Sequence, residues 1–349
     1  MPSVNEDLLD AMVRHQVQVQ KLILSVNYEL QGIIDDGDLQ IIDEVLSREA
    51  TINGNLDSKR LAWLLAAIWV ANHDSHVAMK ARFREAIKEF IRYEADFQVS
   101  LLEDTLPVDF PIEEPSYSDL DAAIFDSPIL GRYWNDWLSN FEDAAYERDQ
   151  TEIQRGMANG DDASIIANAL KAGAFAIGAR QLANLVRTLF NAAANETRLE
   201  VIQANQNLVG AVQWHATLDE VTCEICAGLD GQIFDSEDES PEEMPAHPSC
   251  RCFWVPVTRS ALRLGISGLS ADVRSRMNGQ PPSKLRYSTW LRRQSAAVQD
   301  EALGPTRGKL FRLGKLDVRK FTDSRNNILT LDQLKAREKP AFKRAKLGA

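Results

Sequence analysis

Five side chains of the kinds that bind zinc lie within one thirty-residue window: Cys223, Cys226, His247, Cys250 and Cys252. The window contains every cysteine of the 349-residue chain. Zinc binds thiolate sulfur and imidazole nitrogen in a tetrahedron of four ligands, and a Cys-x2-Cys pair is a common half of such a site. The pattern therefore predicts a closed structural zinc site with one candidate to spare. The spacing alone does not identify the spare one.

A disulfide pair and simple buried thiols are the alternatives to a metal. The N-terminus lacks the basic start and apolar stretch of a secretory signal peptide, so we expect a reducing cytosol, where clustered cysteines favour metal. A catalytic zinc would keep an open position beside a general base, which five candidate ligands disfavour. Redox chemistry at Cys223 and Cys226 is disfavoured because no strand-then-helix pattern surrounds the pair.

Residues beside the cysteines are expected to shape this site. Pro248 should hold the His247 backbone extended and orient its ring. Asp219 should accept backbone N–H groups at the turn that enters the first cysteine pair. Arg251 lies between two cysteines of an extended segment, so it should face away from them. We expect it to pair with the acidic loop of residues 235–246 or with a partner.

Bulky apolar residues should cover the small module around the cysteines. Trp214 and Trp254 are expected to pack there rather than stack on bases, because a module with a thin core needs apolar cover and a metal staple. Gly231 marks a turn. His215, next to Trp214, is a further candidate ligand that its strand position should turn away from the cysteines.

A second pair of histidines, His73 and His76, lies three residues apart on one predicted helix face. A two-histidine metal site with Asp74 is conceivable. Ordinary surface or core histidines are the favoured interpretation.

The elements that carry these residues predict an α+β, mostly helical protein. Helical spacing runs through residues 1–103, with Asn5 as a candidate N-cap. Residues 104–117 are rich in proline and acid and predict an extended linker. Helix resumes over residues 118–207, with a break expected near Gly173.

A small β-containing Cys/His module of the zinc type is expected at residues 208–257. Pro256 should place the strand candidate "CFWVPV" (252–257) at an edge or a strand end. Residues 258–349 predict a basic C-terminal tail of short helices, with a candidate cap at Thr330. Its last eight residues are expected to be frayed.

The charge of the chain is unevenly distributed. Net charge is −12, yet residues 258–349 hold 21 Lys and Arg against 7 Asp and Glu, a balance of +14. Such asymmetry points to an acidic partner, either DNA backbone without base readout or a protein surface, although the tail could also fold back on its own acidic body. The candidate contact residues are Arg286, Arg292, Arg293, Arg307, Lys309, Arg312 and Lys315.

Three segments together carry a family resemblance. They are "RTLFNAAANETRLEVIQAN", "VGAVQWHATLDEVTCEICAGLDGQIF" and "PAHPSCRCFWVPV". With them, residues 160–316 resemble the head morphogenesis domain of tailed phages, the Mu F-like minor head protein family. The matching motif residues are Trp214, Asp219, Cys223, Cys226, Leu229, Gly231, His247, Pro248, Cys250, Arg251 and Cys252.

The resemblance implies a minor capsid protein of a tailed bacteriophage or prophage. It implies association with the portal and other capsid or scaffold proteins, and a part in head assembly and DNA packaging or delivery. The expected location is the virion head, at the capsid interior or portal vertex, after assembly in the host cytoplasm. Contact with viral DNA would be non-specific.

No Ser-His-Asp order, phosphate loop or paired catalytic carboxylates stand out, so we do not expect an enzyme. No apolar run is long enough to span a membrane, and no membrane partner is expected. Two rival functions stay open. One is a zinc-stapled nucleic-acid-binding protein. The other is a toxin or effector that carries a Mu F-like domain.

Overall fold

The computed structural model of the chain describes residues 2–48, 58–236, 243–266, 270–277, 286–323 and 326–347. Within these residues the protein is mostly helical and contains one small antiparallel sheet. The predicted α+β class, with helices in the majority, is therefore confirmed.

The first half of the chain is helical. Its helices are α1 (Val4–Ser47), α2 (Ser58–Thr105), α3 (Tyr117–Phe125), α4 (Trp134–Asn159), α5 (Ala163–Gly173), a π-helical turn (Ala174–Gly178) and α6 (Ala179–Ala204). The break expected near Gly173 is this π-helical turn. Residues 106–116, within the proposed linker, contain neither helix nor strand.

The second half alternates short strands and helices. In chain order these are β1 (Val209–His215), α7 (Glu224–Leu229), β2 (Ile233–Asp235), β3 (Phe253–Thr258), α8 (Ala271–Arg276), α9 (Tyr287–Arg292), α10 (Ala296–Leu303), α11 (Pro305–Arg312), a 3-10 turn (Val318–Phe321), α12 (Leu331–Arg337) and α13 (Lys339–Arg344).

The chain forms two compact units, each assembled from separate segments. The cysteine unit consists of Met1–Gln16, Glu94–Leu120 and Ala194–Ala349, and the helical unit consists of Val17–Tyr93 and Asp121–Ala193. The domain boundaries proposed from the sequence stay predictions.

The helical unit is built on apolar stripes at helical spacing. Ile41 and Val45 of α1 pack with Leu64 and Ile68 of α2 and with Ile166 of α5 in one buried cluster. Spacings of three and four residues put these side chains on one helix face. Within the unit, Gly160 adopts φ 77° and ends α4, and the Asp162 side chain then caps α5.

The cysteine unit contains the three-stranded sheet of the described residues, in the order β2-β1-β3. Both neighbours of β1 are antiparallel, and Trp214 of β1 pairs with Trp254 of β3. Pro256 lies in β3, an edge strand, where the missing N–H of proline breaks no ladder bond.

The C-terminal helices have their own apolar core. Tyr287, Leu291, Phe311, Phe321 and Phe342 are buried together there. Ala227 of α7 joins the same cluster, so this core reaches the cysteine module. The expectation of a frayed C-terminus is wrong for Phe342 and Ala345, which are buried because they complete this core.

The two helix caps that the sequence predicts have different outcomes. Thr330 caps α12 as predicted, in a reciprocal capping box with Gln333. The prediction for Asn5 is wrong, because Ser3 and Glu6 exchange the capping hydrogen bonds of α1. Asn5 is buried within the helix, and its side chain bonds to Thr258 of β3.

Candidate metal centre

The first cysteine pair begins a helix. Cys223 is the N-cap of α7, and its Sγ accepts the backbone N–H of Cys226 at 3.4 Å. An N-cap side chain that accepts this bond satisfies one of the free donors of the first turn. The capping geometry therefore directs both sulfur atoms of the Cys-x2-Cys pair towards one point.

The second half of the site precedes the edge strand β3. A tight turn places the Cys250 N–H 3.1 Å from the His247 carbonyl oxygen, and Ser249 within it has φ 61°. Cys252 follows immediately before β3 and is buried. The turn brings His247 and Cys250 to the same side.

The structure brings all five predicted ligands together. Cys223, Cys226 and His247 form one group and Cys226, Cys250 and Cys252 a second, with ligand atoms within 4.8 Å of one another in each group. The Cys226 Sγ lies 3.3 Å from His247 Nε2 and 3.6 Å from Cys250 Sγ. Sulfurs bound tetrahedrally to zinc at about 2.3 Å are about 3.8 Å apart. The spacing fits a shared zinc ion.

The space among these atoms also fits one ion. A cavity of about 20 Å³ is lined by residues that include Cys223, Cys226, His247 and Cys252. This is enough for one small sphere and not for a substrate. The arrangement suits a closed structural site.

The hydrogen bonds of His247 prepare one ring nitrogen for a metal. Its Nδ1 lies 2.8 Å from the Pro248 carbonyl oxygen, to which an Nδ1–H donates. That bond favours the tautomer with a free lone pair on Nε2, the atom that faces Cys226. Pro248 thus contributes a fixed acceptor next to the ligand.

The close approach of the thiols favours a bound cation. Hydrogen bonding from Cys226 lowers the pKa of Cys223 to about 4, whereas burial raises the pKa of Cys252 well above its ordinary value. Four thiols this close cannot all ionise side by side in a buried place. A divalent ion neutralises the thiolates and displaces their protons, so that all could serve as ligands.

Asp219 and Arg251 brace the cluster. Arg251 donates to both carboxylate oxygens of Asp219, at 2.6 and 2.9 Å. Asp219 Oδ1 also accepts from the Val221 N–H at 3.2 Å and the Thr222 hydroxyl at 3.1 Å. This bidentate ion pair connects the turn before Cys223 to the segment between Cys250 and Cys252. Residues 237–242 of the predicted acidic loop lie outside the described residues.

The tryptophans beside the site are buried in the module. Trp214 and Trp254 are fully buried and meet edge to face, with ring centroids 5.2 Å apart. Rings in this position are not available to stack on bases. Gly231 has φ 76°, and the Arg286 guanidinium packs where its side chain would be and donates to its carbonyl oxygen at 3.2 Å. The positive φ favours glycine at this turn, because a residue with a side chain is strained there.

One asparagine that sequence reasoning missed holds the strand next to Cys252. Asn195 of α6 donates to the Cys252 carbonyl oxygen at 3.1 Å and accepts from the Trp254 N–H at 3.1 Å. The available signal was a polar residue directly after the small apolar run "AAA" (192–194). A polar side chain on a buried helix face needs a partner.

An ion pair buried in the cysteine unit was also missed. Arg198 Nε donates to Glu94 Oε1 at 2.7 Å, and His15 Nε2 lies 2.6 Å from Glu94 Oε2. Although burial opposes ionisation, Arg198 and His15 lower the pKa of Glu94 to about 2. The three residues link α1, α2 and α6 inside this unit.

Asp230 connects the cysteine module to the C-terminal helices. Its Oδ1 accepts from the Ala216 N–H at 2.9 Å, and its Oδ2 accepts from the Tyr287 N–H at 2.6 Å. The Tyr287 hydroxyl donates to the Asp219 carbonyl oxygen at 3.1 Å. The basic C-terminal region is thus anchored to the cysteine module.

The seven basic candidates divide by what they contact. Arg286 is anchored at Gly231, Arg307 donates to the Leu329 carbonyl oxygen and lies 3.4 Å from Glu224, and Arg312 pairs with Asp300. The Arg292 guanidinium packs over the Phe311 ring at 4.3 Å. Arg293 and Lys315 are exposed and Lys309 is half-buried.

The other histidines contact no cysteine of the cluster among the contacts that the structure describes. His73 bonds to Glu142, and His76 bonds to the Asn72 carbonyl oxygen. His215 Nε2 lies 2.9 Å from Gln213 Oε1, and burial lowers the pKa of His215 to about 4. None of the three belongs to a group of metal-binding residues in the described part of the chain.

Residues 149–255 match the model of the family described as Phage Mu protein F like protein. This stretch, about a third of the chain, contains all five candidate ligands. It begins inside α4 and ends inside β3. The predicted family resemblance is confirmed where it overlaps this match. No curated protein and no solved structure matches the chain.

Among the residues that the structure describes, none of the helices has both the length and the apolar character needed to cross a bilayer.

Proposed function

We propose, from the Phage Mu protein F like stretch at residues 149–255, that the chain is a minor head protein of a tailed bacteriophage or prophage. The match carries this proposal because it includes every residue of the candidate metal centre. The protein acts through contacts in head assembly and is not an enzyme. Its partners are the portal protein and other capsid or scaffold proteins.

The metal centre of this protein is a structural zinc site. Two of its ligands are carried by α7, which packs on the C-terminal core through Ala227. The remaining candidates precede β3, whose free edge is held by Asn195. A zinc ion joins these two parts within the cysteine unit and fixes the surface that a partner meets. Zinc would supply cross-linking here and no chemistry at a substrate.

The basic C-terminal region contacts DNA backbone during packaging or delivery. Arg293 and Lys315 are exposed there, on a region with a net charge of +14. Attraction of this kind is independent of base sequence and weakens steeply with added salt. The same observation supports the rival function, a zinc-stapled nucleic-acid-binding protein outside a phage head.

Purification of phage heads tests the main proposal. Heads from the phage or induced prophage that carries this gene should contain the chain in a few copies per particle, as counted by quantitative mass spectrometry. An affinity-tagged chain should co-purify with the portal protein encoded nearby. If purified heads lack the chain and the portal does not co-purify, the proposal fails.

The tagged chain also separates the rivals. A Cys226→Ser variant should lose portal binding if the zinc centre shapes the docking surface. DNA retention that survives in this variant but is lost on removing the exposed cations would assign the nucleic-acid contact to the C-terminal region. A catalytic activity that one polar substitution abolishes would favour the effector alternative.

A further inference from the structure

The outer face of α2 changes character along its length. Within residues 61–81, all of which the structure describes, Asp74 alone carries a charge among the exposed side chains, which are Ala62, Trp63, Ala66, Trp69, Val70, Asp74, Val77, Ala78 and Ala81. Further along the same helix the exposed side chains include Arg84, Glu85, Glu89, Arg92 and Asp96. The second part of α2 therefore has an ordinary solvated face, and the first part does not.

The exposed apolar area is large. Trp63 is 74% exposed, Trp69 47%, and Val70 and Val77 49% each, although Leu64 and Ile68 on the opposite face are buried in the core of the helical unit. A helix that is apolar on both faces is normally buried on both. Apolar patches of this kind on a soluble protein mark interaction surfaces.

The spacing of the exposed residues predicts the shape of the partner. Trp63, Val70 and Val77 follow one another at intervals of seven, with Ala66 between the first two. Apolar residues at this interval form a straight seam against a second helix. The small side chains along the seam let two helix backbones approach closely.

We propose that the occupant of this seam is α2 of a second copy of the chain, packed antiparallel about a two-fold axis at Val70. Seven of the nine exposed side chains have the symmetry that such packing needs, and Trp69 and Ala81 lie outside it. Counting from Val70 in both directions, Trp63 matches Val77, Ala66 matches Asp74, and Ala62 matches Ala78. A two-fold interface places each residue against its counterpart on the other copy, so the large Trp63 lies opposite the smaller Val77.

Charge is compatible with this pairing. Asp74 faces Ala66 of the second copy, and the two Asp74 residues are about 12 Å apart along the helix axis at 1.5 Å per residue. At that distance their repulsion is largely screened at physiological salt. A lipid surface is disfavoured because the chain carries a net charge of −12 and anionic headgroups repel it.

The area is sufficient for a specific dimer. A fully buried tryptophan contributes about 150–250 Å², and Trp63, which is 74% exposed, brings most of that area to the seam. With the valines and alanines, two facing seams remove on the order of 1,000 Å² from water, the lower end of specific interfaces. The dimer is therefore expected to be concentration-dependent.

Substitutions that introduce a charge at Val70, on the two-fold axis, test the proposal. The full-length chain should show twice its 39.1 kDa mass by light scattering at high concentration and should dissociate on dilution. Val70→Glu and Val70→Lys should each be monomeric, because each puts two like charges opposite each other. Equimolar mixing of the two variants should restore the dimer.

Ile165→Glu is the matched control. Ile165 is 50% exposed on α5, outside the seam, so this variant should dimerise like the unmodified chain. Equal far-UV circular dichroism of all variants shows that the helices are intact. A wild-type monomer at every concentration, a Val70→Glu dimer, or a mixture that stays monomeric would each overturn the proposal. So would wild-type binding to phosphatidylcholine vesicles that Val70→Glu abolishes without any change in mass.

Discussion

Asn5 and Asn195 lie 190 positions apart and close the same edge of β3. The Trp254 N–H donates to Asn195 Oδ1 at 3.1 Å, and the Thr258 N–H donates to Asn5 Oδ1 at 2.9 Å. Alternate residues of a strand present their N–H groups to the same side, and Pro256, between these two, has none. Every N–H that β3 directs away from β1 at positions 254–258 is accounted for.

Removing the Asn195 amide should loosen the strand that follows the candidate ligands. Asn195→Ala leaves the Cys252 carbonyl and the Trp254 N–H without their partner, at a cost of about 1–3 kcal/mol in the free energy of unfolding. Urea denaturation measures the loss. Asn159→Ala, at the exposed end of α4, should leave the midpoint unchanged. Equal midpoints for both variants would show that the edge contacts contribute nothing.

The buried ion pair predicts an asymmetric response to substitution. Arg198→Met removes one charge and leaves Glu94 buried without its main partner, so we expect a loss of about 3–5 kcal/mol in the free energy of unfolding. The double variant Arg198→Met, Glu94→Met should recover part of that loss, because it leaves no buried carboxylate. Arg82→Ala, which breaks a surface pair with Glu29, should cost less than about 1 kcal/mol. A double variant less stable than the single one would contradict this account.

Metal analysis checks the zinc site. Protein purified without chelator should contain about one zinc per chain. Cys226 belongs to both three-residue groups, so Cys226→Ser should abolish stoichiometric zinc and make residues 208–257 sensitive to protease. The long helices should persist by circular dichroism. A zinc-free wild type whose four thiols react freely while it stays folded would rule the site out.

Two buried carboxylates predict opposite dependences of stability on pH. The folded-state pKa of Glu94 is about 2, below its ordinary value, so its contribution is full above about pH 4.5 and is lost as the pH falls towards 2. Burial and Asp149 raise the pKa of Asp38 to about 7, so stability is lost as the pH rises from about 4 through 7.

Asp38→Asn isolates the second effect. The variant should be about 1–3 kcal/mol more stable than wild type at pH 8 and nearly equal to it at pH 4. Urea midpoints at the two pH values measure the difference. A stabilisation that is the same at both would show that ionisation of Asp38 is not its cause.

Salt dependence tests the DNA contact. Arg293→Ala and Lys315→Ala should each weaken binding to duplex DNA without regard to sequence, and should reduce the slope of log K against log salt by about 1. Arg312→Ala should act differently, because Arg312 pairs with Asp300. It should lower the free energy of unfolding and leave the salt slope nearly unchanged. If Arg293→Ala and Lys315→Ala both have the same salt slope as wild type, these residues do not belong to the contact.

The local part of this structure follows from the sequence, and the long-range part does not. Helical spacing, the Thr330 cap and the edge position of Pro256 depend on neighbours a few residues away. The gathering of Cys223, Cys226, His247, Cys250 and Cys252 was predictable because their chemistry restricts where they can lie. These features are local or have one chemical explanation.

Other contacts depend on residues that the chain brings together over long separations. Glu94 and Arg198 are 104 positions apart, and each is one of many charged residues with no distinguishing neighbour. Asn5 was predicted as a cap because asparagine often caps helices, whereas tertiary contact with Thr258 determines its role. Phe342 and Ala345 belong to a core assembled from several short helices, none amphipathic enough to predict it.

The segmented construction of the two units has a genetic consequence. The cysteine unit is encoded by three separate stretches of the gene and the helical unit by two, and the boundaries cut through α1, α2, α3 and α6. A single crossover or a simple truncation cannot deliver either unit whole. Homologous exchange between relatives should therefore transfer the chain as one piece, and hybrid proteins joined within these helices should fold only when both parents supply matching helix faces.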